Sequence, residues 1–160
     1  MASVGSLRPT GLRRRLPWAL GLVKQATSHS EKFAVQIDPN TRALLRDIMR
    51  RFPESGVVML RYARDRRSIR FNLTGMMEEF ARETQRAVSR GKPQIAKQHF
   101  DFLATRLRQG NTVDREYIDV YYVEGILHGV SKTVAKDIWA LMPDCLRQLY
   151  VAMWGNPRLA

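Results

Sequence analysis

Glu124 and His128 are the residues whose types and spacing come closest to a chemical site in this chain. Four positions apart, they share one face of any helix that contains them, and Tyr117 falls in the same narrow strip. A carboxylate–imidazole pair can hold a metal ion, but a second helix must add ligands, and the sequence offers only His99 and Asp101 for that. We therefore expect no metal site and interpret Glu124, His128 and Tyr117 as structural, buried polar residues.

The single cysteine, Cys145, follows Pro143-Asp144 at the expected start of a helix. The helix dipole favours a thiolate at such a position, so Cys145 with His99 or His128 as base is a candidate nucleophile pair. No Gly-rich oxyanion loop, P-loop, GxGxxG motif or zinc-ligand spacing accompanies it. We expect no catalytic residue, no cofactor and a non-enzymatic protein, with Cys145 as a small buried side chain.

Arginines are concentrated N-terminal to the residues discussed so far. Five lie within ten positions, and they are candidate contacts for an anion or a partner: Arg61, Arg64, Arg66, Arg67 and Arg70. Guanidinium groups at this density can hold phosphates, whereas a solvated loop or a loop that binds an acidic protein is equally compatible. A second basic face is predicted on the preceding helix, at Arg42, Arg46, Arg50 and Arg51.

The net charge of +12 is unevenly distributed over the 160 residues. Residues 1–74 carry 15 Lys/Arg against 5 Asp/Glu, whereas residues 75–160 carry 12 against 10. A basic protein invites a nucleic-acid interpretation, but only the front half supports it. One cysteine excludes an intrachain disulfide, and no apolar run reaches the ~20 residues that span a membrane.

The N-terminal residues 1–32 form a basic segment whose first 30 residues contain no Asp or Glu. An Arg-rich, Ser-rich, acid-free start resembles a mitochondrial transit peptide. A disordered basic tail and an upstream extension are the other interpretations. We expect a cytoplasmic protein if the source is bacterial and a mitochondrial one if it is eukaryotic.

The segment Asp114–His128 (DREYIDVYYVEGILH) has the strongest pattern of a buried helix, and we predict that Asn111 or Asp114 caps it. Its apolar residues occupy two opposite sides: Ile118, Tyr121, Tyr122, Gly125 and Ile126 on one, and Val120, Val123 and Leu127 on the other. A surface helix has one apolar side, so we predict that this helix lies between two helical layers at the centre of the domain. Glu124 would then need a donor, and the candidates are His128, Tyr117, an arginine such as Arg106, or backbone amides from a neighbouring helix end.

Capping residues and apolar periodicity delimit the other predicted helices. The predicted bounds are Pro39–Phe52, Thr74–Ser89, Pro93–Gly110, Ser131–Met142 and Asp144–Gly155. Residues 57–73 instead alternate between apolar and polar, which is the period of a strand. We predict a short β-hairpin there, with its turn at residues 64–67, packed on the helices because an isolated hairpin is only marginally stable.

Four successive stretches together form one pattern. In it a Phe-rich helix is followed by a Gly-Asn turn and then by a helix that places a glutamate after Ile-x-Val. The stretches are GMMEEF (75–80), FDFL (100–103), QGNTV (109–113) and IDVYYVEGIL (118–127). These motifs resemble a family of small bacterial helical domains of unknown function, over about residues 70–154. The resemblance implies a helical fold and the placement of Glu124, but no activity; an immunity-like role follows only by analogy with such proteins near toxin genes.

These patterns predict an all-α fold: a compact bundle of five or six helices with the short hairpin. We expect a basic tail at 1–32, disordered or targeting, one helical domain at 33–155 and a C-terminal tail at 156–160. The leading function is a non-enzymatic protein-interaction module that binds a protein partner. The alternative is a basic RNA- or DNA-associated protein that binds phosphates through residues 42–70.

Overall fold

A computed structural model describes residues 38–64 and 69–159 of the chain. Its elements are α1 (Pro39–Arg51), α2 (Pro53–Arg64), α3 (Ile69–Ser89), α4 (Pro93–Arg108), α5 (Thr112–Ile118), a π-helical segment (Asp119–Val123), α6 (Lys132–Leu141) and α7 (Asp144–Trp154). No strand occurs in these ranges, so the all-α prediction is confirmed. The described ranges hold seven α-helices rather than the predicted five or six. The predicted tail and the start of the domain at residue 33 lie outside the described residues.

Side-chain caps set several helix starts where the sequence predicted them. The Asp38 carboxylate accepts the Asn40 amide at 2.7 Å, and the Asn111 side chain accepts the Val113 amide at 2.9 Å. Ser131 caps α6 in the same way, through the Val134 amide. Each cap gives a partner to an amide that has no acceptor within the first helical turn.

The hairpin predicted at residues 57–73 is wrong, because the described part of this region is helical. Pro53, which the sequence suggested as a stop after α1, is the first residue of α2, where a missing amide is no loss. Gly56 faces α1, and a Cβ there would lie 3.1 Å from the Cβ of Met49. Of the alternating residues Val58, Leu60 and Tyr62, Leu60 is exposed and the other two are only half-buried, so their alternation marks no buried strand face.

The longest described helix, α3, lies at the centre of the fold. It packs against α1, α2, α4, α5, α6 and the π-helical segment. Asp114–His128, predicted as the central element, packs on α1, α3, α4 and α7 but contacts fewer elements than α3 does. Thr74, predicted to cap a helix, lies inside α3. Because α3 contacts so many elements, its side chains contribute to most of the polar clusters described below.

The core is apolar and closely enclosed by these helices. Its largest fully buried side chains are Tyr122, Phe80, Phe100, Leu44, Leu45, Ile48, Met59, Met77, Leu103, Ile118, Ile126 and Ile138. In the described part of the chain, no helix has the length and apolar character needed to cross a bilayer.

Candidate functional site

The helix predicted over Asp114–His128 exists only in its first two thirds. It is α-helical to Ile118 and then widens, so that the Glu124 amide donates to the Asp119 carbonyl at 3.1 Å, five residues back. Residues 124–129 form turns. A π-helical turn holds an extra residue, and side chains beyond it point in other directions than in a continuous α-helix.

One of the two predicted apolar sides of this segment is buried and the other is partly open. Ile118, Tyr122 and Ile126 are fully buried, as predicted. On the second side Val123 is buried, but Val120 is 38% exposed and Leu127 is only partly buried. Within residues 38–64 and 69–159, no helical layer covers this second side completely, and it forms the floor of a groove.

The groove lies between α3 and α7 and has a volume of about 920 Å³. Both helices pack on the π-helical segment, yet they do not pack extensively on each other, which leaves the space between them open. Its apolar lining consists of Ala81, Val120, Tyr121, Leu127, Tyr150 and Trp154. Trp154, at the end of α7, is 59% exposed, so a large aromatic surface faces solvent here.

Glu124 and His128 also line the groove, and both are exposed. The prediction that they are buried is wrong, because the chain turns away from the helix axis at Glu124. Tyr117 is half-buried, and its ring centroid lies 5.1 Å from that of Tyr121. Gly125 has no neighbour within 4 Å of the position of a Cβ and leaves the groove open.

Gln85 on α3 holds the turn at the end of the groove. Its side-chain nitrogen lies 3.0, 3.2 and 3.1 Å from the carbonyl oxygens of Gly125, Ile126 and His128. An amide group has two protons, so two of these acceptors share one donor. Carbonyls past a helix end need such outside donors, and Gln85 thereby ties the turn to α3.

The charges beside the groove are mostly paired within α3. Arg82 donates to Glu79 at 2.7 Å, and Arg86 donates to Glu79 at 2.7 Å and also to Glu83. Burial acts to raise the pKa of Glu79, but the hydrogen bonds and charges of the two arginines outweigh it and lower the pKa. Glu79 therefore stays ionised and holds both arginines.

The residues that line the groove lie within a stretch of the chain that matches a domain family. The family described as Domain of unknown function (DUF7674) matches residues 45–155. The chain belongs to this family. The resemblance predicted over residues 70–154 is thereby confirmed as membership of a domain family of unknown function, and the DUF7674 match extends further upstream. No match was found among curated proteins or among solved structures.

Within the DUF7674 domain, the buried carboxylate that the sequence placed at Glu124 is Asp114. Its side chain is 1% exposed and accepts two contacts of 2.7 Å from Arg106. Arg106 also reaches Asp47 on α1 at 3.3 Å. Arg106, one of the donors suggested for Glu124, binds Asp114 instead, ten residues earlier, and together with Asp47 this contact joins α1, α4 and α5.

A buried polar cluster in the core of the DUF7674 domain has no counterpart in the sequence prediction. The Thr84 hydroxyl donates to the Phe80 carbonyl at 3.1 Å and lies 2.9 Å from His99 Nδ1 and 2.8 Å from the Tyr122 hydroxyl. Thr84 has one proton, so His99 and Tyr122 must both donate to it. Nδ1 of His99 therefore carries a proton, and burial, which lowers the pKa of His99 to about 4, keeps the ring neutral near pH 7. The signal that the sequence carried was only a lone His and Thr at inward-facing helical positions.

The structure does not assemble the catalytic and metal-binding combinations weighed from the sequence. His99 is enclosed by Phe52 and Phe80, with ring centroids at 4.5 and 4.4 Å, and its hydrogen bond goes to Thr84. Cys145 is half-buried and lines a separate cavity of about 240 Å³. Across residues 38–64 and 69–159, no three His, Cys, Asp or Glu side chains are placed to hold a metal ion.

The predicted arginine cluster is only partly described. Arg61 and Arg64 are exposed on α2, whereas Arg66, Arg67 and the side chain of Arg70 lie outside the described residues. The second basic face, on α1, is fully described, and all of its members are exposed: Arg42, Arg46, Arg50 and Arg51.

Proposed function

We propose that this DUF7674 domain is a non-enzymatic interaction module that binds a protein partner in the groove between α3 and α7. The supporting observation is the exposed apolar lining, in which Val120 is 38% and Trp154 is 59% exposed. Tyrosine and tryptophan are enriched among the residues that dominate binding energy at protein interfaces. Covering the exposed part of Trp154 alone would contribute about 2–4 kcal/mol of apolar burial before the costs of association.

The shape of the groove favours a macromolecular occupant over a small molecule. Sites for small molecules enclose about 70–90% of the ligand surface. Here the space is open along the gap between α3 and α7, so a small ligand would keep one side in contact with solvent. An extended or helical protein segment can instead make contacts along the whole gap.

Site-specific photocrosslinking tests this proposal. We expect a photoreactive amino acid at position 120 or 154 of the full chain, in cells of the source organism, to crosslink one and the same protein. Val57 provides the matched control, because it is 58% exposed on α2 and does not line the groove. Absence of crosslinks at 120 and 154, or the same products at 57, would contradict a docking role for the groove.

A basic, nucleic-acid-associated role is the second candidate, supported by the exposed arginine face of α1. Arg42 and Arg46 are one helical turn apart, and none of the described ion pairs involves them. Side chains that neutralise phosphates release counterions, so the logarithm of affinity should fall linearly with the logarithm of salt concentration.

For this candidate we expect the double substitution Arg42→Gln/Arg46→Gln to reduce that salt slope by about 1–2, measured by fluorescence polarisation with mixed-sequence RNA and DNA. Substituting Lys97 and Lys132, which are also exposed, gives a control of equal charge change. Equal salt slopes for the two double variants would contradict this candidate, because Arg42 and Arg46 would then contribute no more than any other exposed cation of a basic chain.

A further inference from the structure

We infer that the partner segment is an amphipathic helix whose apolar side chains enter the groove and whose lysine or arginine side chains reach Glu78 and Glu124. This inference rests on the proposed docking function and adds the chemistry of the partner. It follows from the charge, the apolar lining and the geometry of the groove.

The groove exposes carboxylates on an otherwise strongly basic protein. The chain carries a net charge of +12, yet the lining contains two glutamates, Glu78 and Glu124, and one arginine, Arg82. Arg82 is held by Glu79 at 2.7 Å, and its contact with Glu78 is longer, 3.9 Å. The charge of Arg82 is therefore largely neutralised by glutamates of α3.

Glu124 is the carboxylate most available to a partner. None of the described ion pairs includes it. The other nearby cation on α3, Arg86, is bound to Glu79 and Glu83. A positive side chain from outside would thus meet Glu124 without displacing an existing partner. Complementary charges at the rim of an interface give it selectivity and speed association.

The apolar groups are arranged to receive one face of a helix. Tyr150 and Trp154 are four residues apart on α7 and form one row, opposite α3. Val120 and Leu127 lie on the floor between. Tyr150 is also fixed from behind by Trp139, with ring centroids 5.7 Å apart. A helix with apolar residues at i, i+3, i+4 and i+7 fits such a groove, and its flanking cations would lie near the carboxylates and aromatic faces.

Two fluorescein-labelled peptides test the inference directly with the full chain at about 0.15 M salt. Both are about 18 residues long, enough to form a helix, with leucine at the same amphipathic spacing; one carries lysine and the other glutamate elsewhere. We expect the Leu/Lys peptide to bind more tightly, as measured by fluorescence anisotropy. Glu78→Gln/Glu124→Gln should weaken it about three- to tenfold, the size of two rim ion pairs.

The matched control is Glu54→Gln/Glu116→Gln, which removes two exposed carboxylates outside the groove. Because Glu78 and Glu124 are exposed, we expect both double variants to melt within about 2 °C of the parent. A loss of affinity no larger than that of this control would overturn the assignment of a basic partner.

A third variant, Trp154→Ala, separates this inference from the docking function itself. We expect it to weaken the Leu/Lys peptide at least about tenfold. If Trp154→Ala weakens both peptides and they bind equally well, docking stands and the basic partner fails. If neither peptide binds, or if Trp154→Ala leaves the affinity of the Leu/Lys peptide unchanged, both proposals fail.

Discussion

Replacing Arg106 with methionine should lower the free energy of unfolding by about 3–5 kcal/mol. The substitution keeps much of the aliphatic volume but leaves the Asp114 carboxylate, 1% exposed, without its two contacts of 2.7 Å. A buried charge without a partner costs far more than an exposed pair contributes, because water no longer solvates it. Urea unfolding followed by circular dichroism measures the loss.

The matched control for Arg106 is Lys97→Met. Lys97 pairs with Asp101 at 2.7 Å, but both side chains are more than half exposed, so we expect a change below about 1 kcal/mol. In the double variant Arg106→Met/Asp114→Leu, most of the lost stability should return, because the uncompensated charge is gone. If Arg106→Met costs no more than Lys97→Met, the carboxylate of Asp114 is hydrated and the ion pair does not fix the helices.

Local signals in the sequence predicted most of the helices but not how closely they pack. Asp38, Asn111 and Ser131 act within three residues, so their capping role can be inferred without knowledge of the fold. The α2 helix packs closely on α1 at Gly56, where a Cβ would lie 3.1 Å from the Cβ of Met49. The alternation at residues 57–62 favoured a strand, and a local pattern of this kind is readily overridden by tertiary packing.

The candidate site was harder to predict, because the directions of its side chains depend on the extra residue held in the π-helical turn. Glu124 would face a neighbouring helix if the α-helix continued through residue 128, but the widened turn at Asp119–Val123 ends it. No residue pattern marks where a π-helical turn will form. The buried carboxylate, Asp114, lies in the first turn of α5, where the sequence suggested only a helix cap.

The groove, too, depends on tertiary packing, which the local sequence pattern does not reveal. A second apolar side on a helix predicts a covering layer, and the sequence cannot tell whether that layer belongs to the chain itself. Here α3 and α7 flank this side without closing over it. An apolar strip that the fold leaves open is consistent with a partner that completes the layer, which is the basis of the proposed function.

Acidification from about pH 7 to about pH 5 should reduce the unfolding free energy by about 2 kcal/mol through His99 alone. Burial lowers the pKa of His99 from 6.5 to about 4. Above pH 6.5 the ring is mostly neutral in both states. Between that pH and about 4, the unfolded chain binds a proton that the folded protein does not, so stability falls with pH. Urea unfolding at the two pH values measures the difference.

His99→Gln is the control for this pH dependence, because glutamine keeps a polar side chain but does not titrate. We expect the decrease between about pH 7 and pH 5 to become about 2 kcal/mol smaller in this variant than in the parent. Glu79 does not interfere, since its pKa is lowered from 4.5 and its contribution is lost only as the pH falls further. An equal decrease in both proteins, or a His99 ring that titrates above about pH 6 by NMR, would show that this imidazole is not kept neutral by burial.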